Sequence, residues 1–232
     1  DGLSVDSSND VTSWVDKMNS FSFTTQGGVN NTSSGNKPSK TQTAGGQEFI
    51  RFDHRNHEFL SARHNIKMNL SSTNGVTIVA FIRKNSANTA IGDADYSGAS
   101  YKKLPIINHG RSYRLQALDD SPYNMAVQFE NGSSSVNDDN NFKTDFTIII
   151  WTSSAVSGYT GEQGLYVNGT KEITSTYVPT NTDESTSPDM RLSRDEDITY
   201  GDPTTQYNYA FGSMDLIEIQ VFNTCVHDNE RE

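Results

Sequence analysis

The sequence predicts an all-β protein, an antiparallel sandwich of two sheets, on three observations. Short apolar or period-two segments recur along the chain, turn-forming residues separate them, and no well-supported 3.6-residue apolar pattern lies between them. Asn, Ser and Thr make up nearly a third of the 232 residues. These side chains compete with helical hydrogen bonds and favour turns, strand faces and hydrated surfaces.

The elements follow in order. Residues 1–47 are mostly turn formers. Val11, Trp14, Val15 and Met18 stand at helical spacing, but no Ala or Leu supports a helix, and Gly27-Gly28 and Gly45-Gly46 punctuate the segment like loops between short strands. The period-two signal is clear from Glu48 to Asp53 and is followed by His57 to Ser61. Gly75 to Arg83 is apolar on both faces, as in a strand buried between two layers. Leu104 to Asn108, Tyr113 to Leu118, Met125 to Glu130 and Asp145 to Trp151 read as further strands. Gly164 to Ile173 reads as a hairpin about Asn168-Gly169, the pair that supplies the positive φ angles of a tight turn. Tyr207 to Phe211 and Asp215 to Phe222 complete the set. The polar segments 85–100, 131–143 and 178–206 read as long loops at the sandwich rim.

Composition bounds the rest. Leu, Ile, Val and Phe number 47, about a fifth of the chain, which is close to the level at which chains stay disordered. Their concentration in the strand segments gives a dense core instead. The length suits a single domain over 1–232. With a net charge of −11 and no basic tract, nucleic acid is excluded as a partner. Thr147 to Trp151, the longest uncharged apolar run, is far too short for membrane insertion. Cys225 is the single cysteine, so no intrachain disulfide forms. Asp1-Gly2-Leu3-Ser4 is neither a start nor a signal peptide, and the expectation is a piece of a longer or processed chain. Asn-X-Ser/Thr triplets at Asn30, Asn31, Asn69, Asn131 and Asn168 are weak pointers to an exposed, glycosylated surface.

The order of these pieces resembles the concanavalin A-like lectin/glucanase superfamily, in its laminin G-like jelly-roll branch. The residues that carry the resemblance are Val11 to Asp16, Phe49 to Asp53 running into Phe59-Leu60, Val76 to Arg83, and Ile106 to Gly110. Ile148 to Trp151 leading to Leu165 to Gly169, and Met214 to Phe222, complete it. The resemblance implies a jelly-roll sandwich that binds sugar chains or another protein through its concave sheet or the loops at one end. Such domains occur in secreted enzymes, adhesion modules and viral structural proteins. It implies fold better than function.

Sugar-cleaving members of that superfamily carry a Glu-X-Asp-X-X-Glu strand, since a retaining hydrolase needs two carboxylates about 5 Å apart on one face. Here Asp215-Leu-Ile-Glu218 supplies only the second half, and Ser213 stands where the first Glu belongs. Asp215 and Glu218 then read as ordinary polar residues at a strand start and face. The alginate lyases of the fold need a Gln-X-His that Gln206-Tyr207-Asn208-Tyr209 lacks. The expectation is no enzyme. His54 and His57 are candidate metal ligands, although in a turn they read more simply as solvated or hydrogen-bonded histidines.

Asp93, Asp95 and Ser97 occupy positions one, three and five of a Ca²⁺ loop with Gly98 following, but Leu104 stands where an EF-hand places its bidentate Glu. A calcium site here would borrow a carboxylate from another loop. Tyr96, Tyr101 and Tyr159, with Asn137 and Asp138, are the candidate carbohydrate-binding residues, because aromatic faces stack on sugar C–H groups while carboxylates and amides read hydroxyls. Trp14 and Trp151 belong to apolar strands and read as core. The sequence thus predicts a non-enzymatic module for a glycan or protein partner, extracellular or on a cell or virion surface. The alternatives are a structural domain of a viral capsid, fibre or surface layer and, further off, a polysaccharide hydrolase or lyase.

Overall fold

The computed structural model describes residues 2–15, 22–25, 37–62, 75–85, 92, 103–109, 113–118, 124–129, 132–136, 145–153, 163–175, 190–197, 208–222 and 224–225. The first four strands are β1 (Leu3–Val5), β2 (Val11–Val15), β3 (Ser22–Thr24) and β4 (Ser39–Gln42). Val11, Trp14 and Val15, at helical spacing in the sequence, lie in an extended strand. Then come β5 (Glu48–Arg51), a 3-10 turn at His54–Asn56, β6 (Leu60–Ala62), β7 (Val76–Lys84), β8 (Lys103–His109) and β9 (Tyr113–Leu118). The chain continues with β10 (Asn124–Phe129), β11 (Gly132–Val136), β12 (Thr147–Ser153), β13 (Gln163–Val167) and β14 (Thr170–Ser175). It closes with β15 (Met190–Leu192), β16 (Arg194–Asp197), β17 (Asn208–Phe211) and β18 (Met214–Phe222).

These strands build a nine-stranded sheet in the order β1-β2-β3-β6-β15-β8-β9-β10-β11 and a seven-stranded sheet in the order β14-β13-β12-β7-β18-β5-β4. β16 and β17 form a separate two-stranded ribbon packed against β8. All pairings between named strands are antiparallel, so the architecture is the two-sheet sandwich expected from the alternating pattern. The core lies between the sheets. Ile78, Ala80 and Ile82 of β7, Ile149 and Trp151 of β12, and Met214 and Leu216 of β18 face it from the seven-stranded side. Leu60, Leu192, Ile107 and Leu115 face it from the other, at adjacent positions of paired strands. Each of the leucine, isoleucine and methionine side chains among them contributes about 1.5–3 kcal/mol on burial.

Three places depart from the expected elements. β11 lies inside the segment 131–143 and β15 and β16 inside 178–206, both expected to be loops. β11 reads Gly-Ser-Ser-Ser-Val and is a strand because β10 offers it an edge, not because it carries an apolar pattern. Residues 57–59, expected in a strand, precede β6, which begins only at Leu60, while His54–Asn56 form a 3-10 turn in the turn expected between the strands. Asp53 caps that turn by accepting a hydrogen bond from Arg55 N, and His57 ends it with φ 55°.

Sequence detail fixes the remaining geometry. Asn168 and Gly169 have φ of 50° and 83° and close the β13–β14 hairpin where expected. Pro105 has no N–H to donate, and the β8–β9 register shifts between Pro105 and Ile107, the bulge that tolerates a proline inside a sheet. At Ser193, φ 65°, the chain leaves the nine-stranded sheet for the β16–β17 ribbon. Ser193 and Gly212 hold the ribbon's root, with Ser193 Oγ donating to the Gly212 carbonyl at 3.0 Å and Gly212 N donating to the Ser193 carbonyl at 3.0 Å. A Cβ on Gly212 would collide with the Leu104 side chain, so the close approach requires glycine.

Candidate functional site

Asp93, Asp95 and Ser97 lie outside the described residues, and so do Tyr96, Tyr101, Tyr159, Asn137 and Asp138. Among the described residues no group of three or more His, Cys, Asp or Glu is placed to hold a metal. The two turn histidines serve the fold. Ser213 Oγ accepts from His54 N at 3.0 Å and lies 2.6 Å from His54 Nδ1. The His57 ring stacks on Phe211, 4.6 Å between centroids. The Arg194 guanidinium covers Phe59 and Phe211 from 4.5 and 5.6 Å.

The residues read against the hydrolase motif have a defined arrangement. Asp215 and Glu218, three apart, would point to opposite faces of a regular strand. A register shift between Leu216 and Glu218 sets Asp215 opposite Arg83 and Glu218 opposite Phe81, two positions of β7 that share a face. Both acids therefore lie on the outer face of the seven-stranded sheet. Asp215 is fully buried there and accepts from Arg51 Nε at 2.8 Å, Arg51 Nη2 at 2.9 Å and Arg83 Nε at 2.8 Å. The hydrogen bond to Asp215 raises the Arg51 pKa above its ordinary value. Both guanidinium groups lie over the Phe49 ring, at 5.3 and 5.0 Å, and Arg83 also over Phe146 at 4.3 Å. This corrects the reading of Asp215 as an ordinary polar residue at a strand start. It is a charge lock joining β5, β7 and β18, and a carboxylate so engaged is not placed to act as acid, base or nucleophile. Glu218 Oε1 accepts from the Gln220 side-chain amide at 2.6 Å.

A second carboxyl group escaped the sequence reading. Glu58 follows the 3-10 turn, and its two oxygens accept from Asp53 N at 2.8 Å and from the Asn56 amide at 3.0 Å. Burial pushes its pKa up to about 7, partly opposed by those hydrogen bonds, while the nearby charges of Asp53 and Asp10 push it further up.

A cleft of about 540 Å³ lies between the two sheets. Leu3, Trp14 and Phe23 form the wall contributed by the nine-stranded sheet, and Ile107 and Met190 its depth. The other wall is the consecutive run Ile217 to Phe222, with Gln47 to Ile50 beside it. Trp14, expected in the core, is only partly buried and belongs to this wall, whereas Trp151 is core as expected. Among the described lining residues the charged ones are Glu48 and Glu218, and Lys40 Nζ sits 2.6 Å from Glu48.

Sandwich and cleft together define a β-sandwich protein with an aromatic-lined, acidic-edged opening between its sheets. No protein-family model matches the chain, and no curated protein is similar to it. Solved structures are. The binding domain of Paraclostridial Mosquitocidal Protein 1 superposes with a TM-score of 0.54 at 13% identity, over 98% of this chain and 49% of that one. The binding domain of botulinum neurotoxin DC, solved with SialylT and again with rat synaptotagmin II, gives TM-scores of 0.52 in both cases. The identities are 13% and 12%, over 96% of this chain and 50% of those. The chain spans about half the length of the structures it matches, and the likeness is one of fold.

Proposed function

We propose that the chain is a single non-enzymatic binding module, acting outside the cell or at a cell surface, that recognises a glycan or protein partner. The observation that carries this reading is the inter-sheet cleft. It pairs apolar and aromatic walls with a few polar groups at the edge, the composition of a recognition site. Two further facts support it. Ser213 stands where a hydrolase of this architecture would carry its first Glu, and the Asp215 beside it is held between two arginines, and chains of similar fold are binding domains. A concanavalin A-like, laminin G-like jelly roll is the family reading we favour. No helix among the described residues is long and apolar enough to cross a membrane.

The test is a glycan array and a cell-binding assay on the intact chain, with and without calcium. The calcium arm addresses the Asp93, Asp95 and Ser97 spacing. Saturable binding without turnover of laminarin or alginate is the expected result. Release of sugar ends from either polymer would replace the reading with an enzymatic one.

A second reading, a structural domain of a viral or surface-layer assembly, draws on the outer face of the seven-stranded sheet. Ile148 and Phe222 are 42% and 41% exposed there, beside Phe81 and Thr77 of β7. Light scattering separates the two: the binding module is monodisperse, and the structural domain assembles as concentration rises.

A further inference from the structure

Asn168 has two tasks at the tip of the β13–β14 hairpin. Its φ of 50°, with 83° at Gly169, closes the turn. It also ties the turn to β12, because Asn168 N donates to the Ile148 carbonyl at 2.9 Å and its Oδ1 accepts from Ile148 N at 3.0 Å. Among the described strands β14 is the outermost of its sheet and β13 lies between it and β12, so this turn anchors an edge hairpin. The same arrangement leaves the asparagine open to its neighbour. Asn168, Gly169 and Thr170 are exposed. Among the described residues Gly169 N donates to no other group, and Asn168 Nδ2 has no acceptor. Glycine brings no side chain to shield Asn168 Cγ, and even a Cβ there would meet nothing within 4 Å. The Ile148 N–H polarises the Asn168 side-chain carbonyl and stands where negative charge gathers during attack at Cγ, as a donor does in an oxyanion hole.

We propose that Asn168 is a site of spontaneous modification, converted to aspartate and isoaspartate through a cyclic imide formed with Gly169, with water as the only co-reactant. Gly169 N gives up its proton and bonds to Asn168 Cγ. The Cγ–Nδ2 bond breaks, and the amide nitrogen leaves as ammonia carrying that proton. Water then opens the imide. Opening at Cγ gives aspartate, and opening at the main-chain carbonyl gives isoaspartate, whose backbone runs through Cβ and Cγ. The sum is one water consumed and one ammonia released, with nothing oxidised, and one negative charge is added to a chain already at −11. The two products differ in consequence. Aspartate keeps an oxygen for Ile148 N and tolerates positive φ. Isoaspartate inserts an extra carbon into a two-residue turn that sets the strand register, so the hairpin loosens and the β12 edge beneath it is uncovered.

The experiment holds the intact folded chain at mildly alkaline pH and follows peptides spanning residue 168 by mass spectrometry, with an isoaspartyl methyltransferase to count isoaspartate. The expected result is loss of the Asn168 amide about tenfold faster or more than at Asn9, Asn56 or Asn85, none of which precedes glycine. Ammonia is released in step, and the conversion slows at mildly acid pH. Asn168→Gln, whose side chain would have to close a larger ring, keeps its amide. Amide hydrogen exchange across residues 163–175 quickens in the isoaspartate fraction and stays near native in Asn168→Asp, which separates the altered backbone from the added charge. An Asn168 amide that survives in the folded chain while the same chain in urea loses it overturns the inference, because the hairpin then guards the site. A sugar found on Asn168 in place of the acid, on the triplet Asn168-Gly169-Thr170, overturns it as well.

Discussion

Asp215 shows why a charged residue can sit at 0% exposure in a sandwich of modest apolar content. Two guanidinium groups saturate its oxygens, and each guanidinium spreads its own charge over a phenylalanine ring. Breaking such a group from one side costs more than the pair is worth, because the remaining charges stay half-buried without their counterion. Asp215→Asn is expected to lower stability by about 3 kcal/mol, seen as an earlier urea midpoint at unchanged slope. Glu58 behaves in the opposite sense. Its folded pKa, about 7, lies above the ordinary 4.5, so the fold favours the protonated form. Its contribution is fully present below about pH 4.5 and is lost as pH rises through 7. Thermal midpoints at pH 5 and pH 8 should therefore differ more in the native chain than in Glu58→Gln. The difference should be roughly 1–2 kcal/mol once solvent screening is allowed for.

At the scale of elements, legibility followed the pattern each strand carries. β7, β12 and β18 were readable as strands, as was the hairpin whose Asn168-Gly169 turn is a local, sequence-encoded event, but β7, read as buried on both faces, buries Ile78, Ala80 and Ile82 and leaves Val79 and Phe81 partly exposed on the outer face. Gly169→Val places a β-branched residue at φ 83°, which costs about 1–2 kcal/mol, and thermal melting of the variant checks it. β11 and β15 were not readable, since one is polar and the other three residues long, and each is a strand only because neighbours present paired edges. The cleft was hidden for a related reason. Its walls come from Leu3, Trp14, Val15, Phe23 and residues 47–50, 107, 190 and 217–222, and it opens where β18 parts from β5 at a one-residue bulge that no periodicity announces. The Asp215 lock did leave a trace. Arg51 and Arg83 each end an apolar strand segment, and two such arginines imply a buried acid on the strand between them. The residues chosen as calcium and sugar ligands, from Asp93 to Tyr159, lie outside the described residues.

For the whole molecule, the sandwich is joined late. β18 is an interior strand of the seven-stranded sheet, between β7 and β5, yet it follows every other described strand in sequence. The hydrogen bonds that secure it span 132 and 164 residues of sequence. During synthesis the other described strands emerge with the centre of one sheet vacant, and Ile78, Ala80 and Ile82 lack part of their cover until Leu216 arrives. A chain ending before Met214 should therefore show no near-ultraviolet circular dichroism and should be cut rapidly by protease. Supplying residues 214–225 as a separate peptide tests whether the vacancy alone is responsible. A nascent chain that has not yet reached β18 thus holds an unfinished sheet, and its exposed apolar strands need shielding until that one segment arrives.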